Sequence, residues 1–319
     1  MNREQLCDWL LLDSDPAIRW QALRDLTSAD PARVDLERSH VATRGWGKQL
    51  LAAQDTTGRW ADALYSPKWT STTYTLLLLR WLGLPEGNEQ ALAGCGQLWS
   101  GAGVHAGGGL NFSKSVTTPE TCETGMVVQL TAYFGYRDER QDATVRWLLT
   151  QQLDDGGWNC ETLRTGSRHG SFHTSIIVLE SLLDYRHGGG PVVVDEALDR
   201  GREFFLAHRL FKSYRTNSAV DPAFTRFPFP PQWHFDVLRG LDFFRLSGAE
   251  PDERLGDAVE ALLAAQNRDG RWPYYRSYPG RQWFAMESRG PSRWNTLRAS
   301  RVLDWWNSSE DTRLSSGTW

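Results

Sequence analysis

The sequence predicts an all-α protein of 319 residues whose helical hairpins close into a ring, an α/α toroid of about six hairpins. Three observations predict it. The pattern Gln-x-x-x-Gly-x-Trp occurs three times, at Gln54-Gly58-Trp60, Gln152-Gly156-Trp158 and Gln266-Gly270-Trp272. Each copy ends an apolar-periodic helix (47–54, 144–152, 258–266) and precedes a second one (70–82, 171–185, 293–306). The chain also carries 16 Trp, each a large apolar surface with one N–H that needs a partner. So many suit either repeated structural stacking or an aromatic-lined cavity.

Taken in order, a helical pair at 3–12 and 16–26 opens the chain. The first Gln-Gly-Trp hairpin spans 47–82. A degenerate unit runs 86–100 and resumes at 120–136. The second hairpin covers 144–185, a further degenerate unit runs 193–208 and resumes at 232–246, and the third hairpin closes at 306. About twelve helices result. They form one domain: an N-terminal pair (1–30), repeats (31–307) and a polar tail (308–319). Glycine can end a helix in the left-handed conformation. The Trp can then fold back, and the Gln amide can bond orphaned carbonyls there or in a neighbouring unit. The helix after each turn is richer in apolar residues and is expected in the inner layer. Loops after the Trp turns should gather at one mouth. The longest segments without helical pattern, 209–231 and 273–291, are expected there as lids.

Charge is nearly balanced, 35 Lys+Arg against 39 Asp+Glu, so no nucleic-acid partner is expected. No apolar run approaches about 18 residues, and residues 1–13 do not read as a signal peptide, so no transmembrane segment is expected. Cys7, Cys95, Cys122 and Cys160 lie far apart, which fits reduced thiols in the cytoplasm.

A metal site follows from the register. With the apolar stripes 125–134 and 176–185 superposed, Cys122 and His173 take the same repeat position, at the first turn of adjacent inner helices. Cys160 lies on the loop leading into the second helix, and Glu120 precedes Cys122. Thiolate, imidazole and carboxylate are the donors Zn²⁺ prefers. A helix N-terminus also lowers a thiol pKa. Cys7 and Cys95 read as structural. His234 holds the equivalent position in the next repeat and is the candidate for moving protons, with Asp236 orienting it or an arginine. Trp69, Trp233, Phe235 and Trp294 form an expected aromatic wall for an apolar substrate. Arg168 and Arg293, with Lys68, Arg164, His169 and Arg289, flank the mouth as candidate anion binders. Each group also has a plain structural reading: a buried thiol, a helix-start cap, packed rings, solvated loop arginines.

The Gln-x-x-x-Gly-x-Trp elements resemble the repeats of squalene–hopene cyclases and the hairpins of protein prenyltransferase β subunits, over roughly 41–306. The Asp-x-Asp-Asp acid motif of the cyclases is absent, since Asp154-Asp155 belongs to a Gly-Trp turn; Asp-Asp-x-x-Asp is absent too. The prenyltransferase zinc signature opens one inner helix with Asp-x-Cys and the next with a His in a Phe-Tyr-His-Thr context. Here Glu120-Thr121-Cys122 and Ser171-Phe172-His173-Thr174 stand at those places. In Gly156-Gly157-Trp158-Asn159-Cys160, the last residue falls where that family has an acidic residue near the metal. The resemblance implies a zinc-dependent, terpenoid cyclase- or prenyltransferase-like enzyme. Its metal would activate a thiol or water beside a cavity for an apolar, isoprenoid-like substrate. Two other classes stay open: a metal-free terpenoid cyclase-like enzyme, and a non-catalytic toroid that binds a ligand or partner.

Overall fold

A computed structural model describes residues 1–113 and 115–316. The chain is built from helices: α1 (Arg3–Leu11), α2 (Pro16–Leu26), α3 (Pro31–Ser39), α4 (Gly45–Ala52), α5 (Thr72–Leu82), α6 (Glu89–Gly101), α7 (Thr121–Phe134), α8 (Gln141–Thr150), α9 (Thr162–Thr165), α10 (Phe172–His187), α11 (Asp195–Ala207), α12 (Val237–Leu246), α13 (Gly256–Ala264) and α14 (Arg293–Ser316). Between α6 and α7, β1 (Gly103–Val104) pairs antiparallel with β2 (Leu110–Asn111), Gly103 opposite Asn111. No described helix is long and apolar enough to cross a membrane.

Local side-chain caps set many of the helix starts. Asn2, Asp15, Asp30, Asn88, Ser171 and Asp236 each accept a first-turn amide. Asp30 followed by Pro31 starts α3, which periodicity alone misses because only Val34 on it is buried. α12 begins at Val237 rather than 232, because Gln232 takes a left-handed φ of 56° and Asp236 supplies the cap. α14 continues through the expected polar tail, since no Gly or Pro interrupts 307–316. Residues 317–319 lie outside the described residues.

The three Gln-Gly-Trp segments make the same bonds. Gln54, Gln152 and Gln266 donate to the carbonyls of Gly58, Gly156 and Gly270 at 2.8–2.9 Å. Gln54 also reaches Gln90 O, and Gln152 reaches Ala197 O, each on the following outer helix. The indoles of Trp60, Trp158 and Trp272 fold back to donate to Leu50, Leu148 and Leu262 O at 2.7–2.8 Å. Thr72, Ser175 and Thr296 hydroxyls accept the three Trp amides. The glycines need left-handed φ near 87°. At Gly156 a Cβ would also stand 2.3 Å from Arg200 O.

Six helices succeed one another around the interior. Trp20 of α2 donates to Leu82 O at the end of α5, at 2.9 Å. α5 packs on α7, and α7 on α10, where Gly125 lies against Ile177 and Val178. Arg239 of α12 pairs with Glu180 of α10 at 2.7 Å. Arg301 of α14 pairs with Asp242 of α12 and donates to Gln21 of α2 at 2.8 Å. The succession thus returns to its start, with α4, α6, α8, α11 and α13 packed outside it. The starts of α5, α7, α10 and α12 lie toward one end of the interior, the ends of α5, α7 and α10 toward the other.

Candidate metal centre

Glu120 stands at the N-cap of α7 and makes no side-chain cap bond, leaving its carboxylate free to turn elsewhere. Cys122 follows in the first turn. Cys160 sits two residues beyond the folded-back Trp158, in the loop before α9. The donor atoms of Glu120, Cys122 and Cys160 all lie within 4.8 Å of one another, each residue half-buried. Ligands of one tetrahedral zinc ion stand roughly 3.3–3.8 Å apart, so the three donor atoms are already near the span of a single ion.

The surroundings prepare one sulfur as a ligand. Cys160 Sγ accepts the Cys122 amide at 3.1 Å and the Thr174 hydroxyl, from the first turn of α10, at 3.4 Å. The adjacent Cys122 thiol, foremost, and these bonds hold Cys160 below the ordinary thiol range, against burial. Cys122 is pushed up by Cys160, and burial adds to that. Burial also raises Glu120, opposed by Arg164 at 3.4 Å. Two sulfurs and a carboxylate are a donor set matched to zinc, and an ion would drive the thiols to give up their protons.

His173 does not join them. Its Nδ1 accepts the Phe235 amide at 2.8 Å. A neutral imidazole accepting there carries its proton on Nε2, which leaves no lone pair for an ion. Burial lowers its pKa to about 4, which keeps it neutral. Of the four expected ligands, His173 lies outside the cluster of three, for a long-range reason: the segment before α12 folds back onto the start of α10.

His234 lies between Trp233 (centroids 3.7 Å apart) and Tyr278 (3.5 Å) in a three-ring stack. Burial and the neighbouring His173 lower its pKa to about 3, and its Nδ1 is buried without a partner. It is therefore neutral near pH 7. Asp236 is fully buried, caps α12 through the Arg239 amide at 2.8 Å and faces Arg298 at 4.0 Å. Its orienting partner is thus an arginine, not His234.

The expected aromatic wall is instead a packed plug. Trp69 meets Tyr74 edge-on at 4.8 Å and donates to Pro279 O. Phe235 packs among Phe172, Phe205 and Phe224. Trp294 stacks on Phe229 at 4.1 Å. Both long segments take part: Lys68 and Trp69 exchange backbone bonds with Arg281, and Trp283 donates to Thr75. The space left beside Trp69, Leu78 and Phe229 is about 50 Å³. A more open hollow of about 510 Å³ lies beside Phe172, His173, Tyr214 and Phe224.

Arg168 is exposed on its loop. Arg293 donates to Trp9 and Leu12 carbonyls and lies over the Trp9 ring, tying α1 to α14. Sequence reasoning missed three groups near the sulfurs. Glu123, one turn after Glu120, accepts the Phe112 amide, and burial raises its pKa to about 7. Tyr65 and Tyr74 are both pushed well up by burial, with Cys122 and Glu123 adding to it. Only the acidic spacing of Glu120 and Glu123 was available as a signal.

No protein-family model matches the sequence, and no curated protein matches it. Among solved structures, a protein from Actinoplanes is 16% identical over 95% of this chain and 98% of its own, with a TM-score of 0.49. The type II terpene cyclase MstE from Scytonema is 16% identical over 90% of this chain and 85% of its own, at 0.45. A variant of that enzyme in complex with geranylgeranyl dihydroxybenzoate is 15% identical over 86% of this chain and 97% of its own, at 0.35. Likenesses this distant leave the site to be read from this chain's own residues.

Proposed function

We propose that the chain is an α/α toroid of hairpins carrying Gln-x-x-x-Gly-x-Trp repeats, and that it is a zinc-dependent enzyme of the terpenoid cyclase or prenyltransferase kind. The observation that carries this reading is the convergence of Glu120, Cys122 and Cys160 on one point. Three protein ligands leave the fourth position of a tetrahedral ion open, which is the catalytic rather than the structural pattern. Bound there, zinc would lower the pKa of a thiol or water and make it a nucleophile. Thr174 and the Cys122 amide orient the Cys160 sulfur, and Arg164 steadies the Glu120 carboxylate. The hollow of about 510 Å³ beside Phe172 and Tyr214 is a candidate space for the apolar, isoprenoid-like co-substrate. Four free thiols fit a reducing compartment, and we place the chain in the cytoplasm.

The packed aromatic plug favours a second reading, a toroid that binds without catalysing. Metal content separates the two. Elemental analysis of purified protein should give about one zinc per chain. Cys122→Ala and Cys160→Ala should each lose it, and Cys7→Ala should keep it. His173→Ala should keep it too, because its imidazole is committed to the Phe235 amide. Retention of zinc in both of the first two variants would remove the site.

A further inference from the structure

The interior is not filled along its whole length. From the end where α5, α7 and α10 finish, a cavity of about 680 Å³ runs inward. That volume is typical of small-molecule sites. Arg24, Glu86, His187 and Leu246 at its rim are exposed. Phe229, Arg239, Trp294 and Arg298 at its floor are 9% exposed or less. Trp20, Trp81, Tyr133 and Phe243 supply ring faces between rim and floor.

Most charges in the wall are already matched. Arg80 pairs with Asp184 at 2.6 Å, Arg239 with Glu180 at 2.7 Å, and Arg301 with Asp242 and Asp25. Arg38 donates to Gly83 O and to the Tyr133 hydroxyl. Arg298 differs. Its Nη2 is 4.0 Å from Asp236, beyond hydrogen-bond reach, and its Nη1 is buried with no partner. One turn earlier, the Trp294 indole N–H is buried with no partner either. Spacing of four places both side chains on one face of α14, and both line the cavity floor. Phe229 lies against each, stacked on Trp294 and 5.7 Å below the Arg298 guanidinium. Buried donors without acceptors are rare in native proteins and call for an explanation.

The geometry points to a second ligand site, in which Trp294 and Arg298 receive the carboxylate of an amphipathic monocarboxylic acid whose apolar body lies along the ring faces toward the rim. Arg298 faces Asp236 at 4.0 Å but bonds no acceptor through Nη1, which leaves that donor free for one carboxylate. Two free donors, the Arg298 Nη1 and the Trp294 indole N–H, match the two oxygens of a carboxylate and leave a third phosphate oxygen unmatched. Burial lowers the pKa of Arg298, a cost that a bound carboxylate relieves. The site shares no residue with the sulfur cluster and does not depend on zinc.

Calorimetric titration of the full chain with decanoate, decanol and decyl phosphate tests it. Decanoate should bind one per chain, with decanol and decyl phosphate each at least about tenfold weaker. Arg298→Met should weaken decanoate by at least about tenfold and leave decanol unchanged. Trp294→Phe keeps the stacked ring and drops only the N–H; it should weaken decanoate about threefold or more. Absence of decanoate binding, equal binding of decanoate and decanol, or tighter binding of decyl phosphate overturns the assignment. So does unchanged decanoate affinity in Trp294→Phe, which carries the test alone if Arg298→Met fails to fold by circular dichroism. Cys160→Ala should bind decanoate like the parent, so failure here and failure of the metal centre are read separately.

Discussion

The two ends of the helical interior treat buried polarity in opposite ways. At the helix starts, the groups beside the rings include two sulfurs and two histidines that burial keeps uncharged, with the carboxylates of Glu120, Glu123 and Asp236 among them. Rings stack on the uncharged groups at little cost, and the segments 209–231 and 273–291 fill the space. At the other end, guanidinium and carboxylate groups project inward from α2, α5, α10, α12 and α14. Buried charges tolerate only partners or water, so that space stays open. The same fold therefore carries a plugged mouth with a candidate metal set and an open mouth with a candidate anion floor.

The strongest way to sharpen this contrast is to break a charge pair at the open end. Arg301→Ala leaves Asp242 buried with Arg245 as its remaining bonded cation. A loss of about 3–5 kcal/mol is expected in urea unfolding. Chelation probes the plugged end. If zinc is present at roughly a hundred times its Kd, its removal should cost the parent about 2.7 kcal/mol and leave the melting point of Cys160→Ala unmoved. Acid distinguishes the ends by pH window: both groups lose stability on acidification, His173 between about 6.5 and 4 and Asp242 only below 3.8. Burial pushes the Asp242 carboxyl up, but Arg301 and Arg245 outweigh it and hold the group below its ordinary 3.8. Its contribution is complete above 3.8 and drains away as pH falls through the depressed folded value. Asp242→Asn should therefore be less stable at neutral pH, with a flatter decline below about pH 4. His173, whose folded pKa is lowered, works against folding as pH falls from its ordinary 6.5 toward about 4. The smallest effect is expected from Arg164→Ala. Its side chain is 51% exposed, and the urea midpoint should not move measurably.

What could be read in the sequence was what short spacing controls. Gln152, Gly156 and Trp158 act on one another within a single turn, so their bonds follow from local chemistry. Glu120 and Cys122 share a helix start, and Cys160 follows a turn whose geometry the Gly-Trp pair sets. His173 sits in the same register, but its ring was claimed by Phe235, 62 residues on. No local pattern reports that. The aromatic residues were read as a wall because composition does not say whether facing rings leave a gap. The arginine-lined cavity was invisible for the same reason. Arg80 meets Asp184 across 104 residues, and Arg298 gains its meaning only once Phe229 and Trp294 close around it.

Arg301 has one further consequence, because it joins the last long helix to both α12 and α2. Arg3 with Asp304, and Arg293 with the Trp9 carbonyl, fasten the same seam from outside. A linear stack of hairpins can peel one unit at a time from a free extremity. With the first and last helices fastened together, neither is a free extremity of that kind, and a single concerted melting transition is the expected outcome in calorimetry.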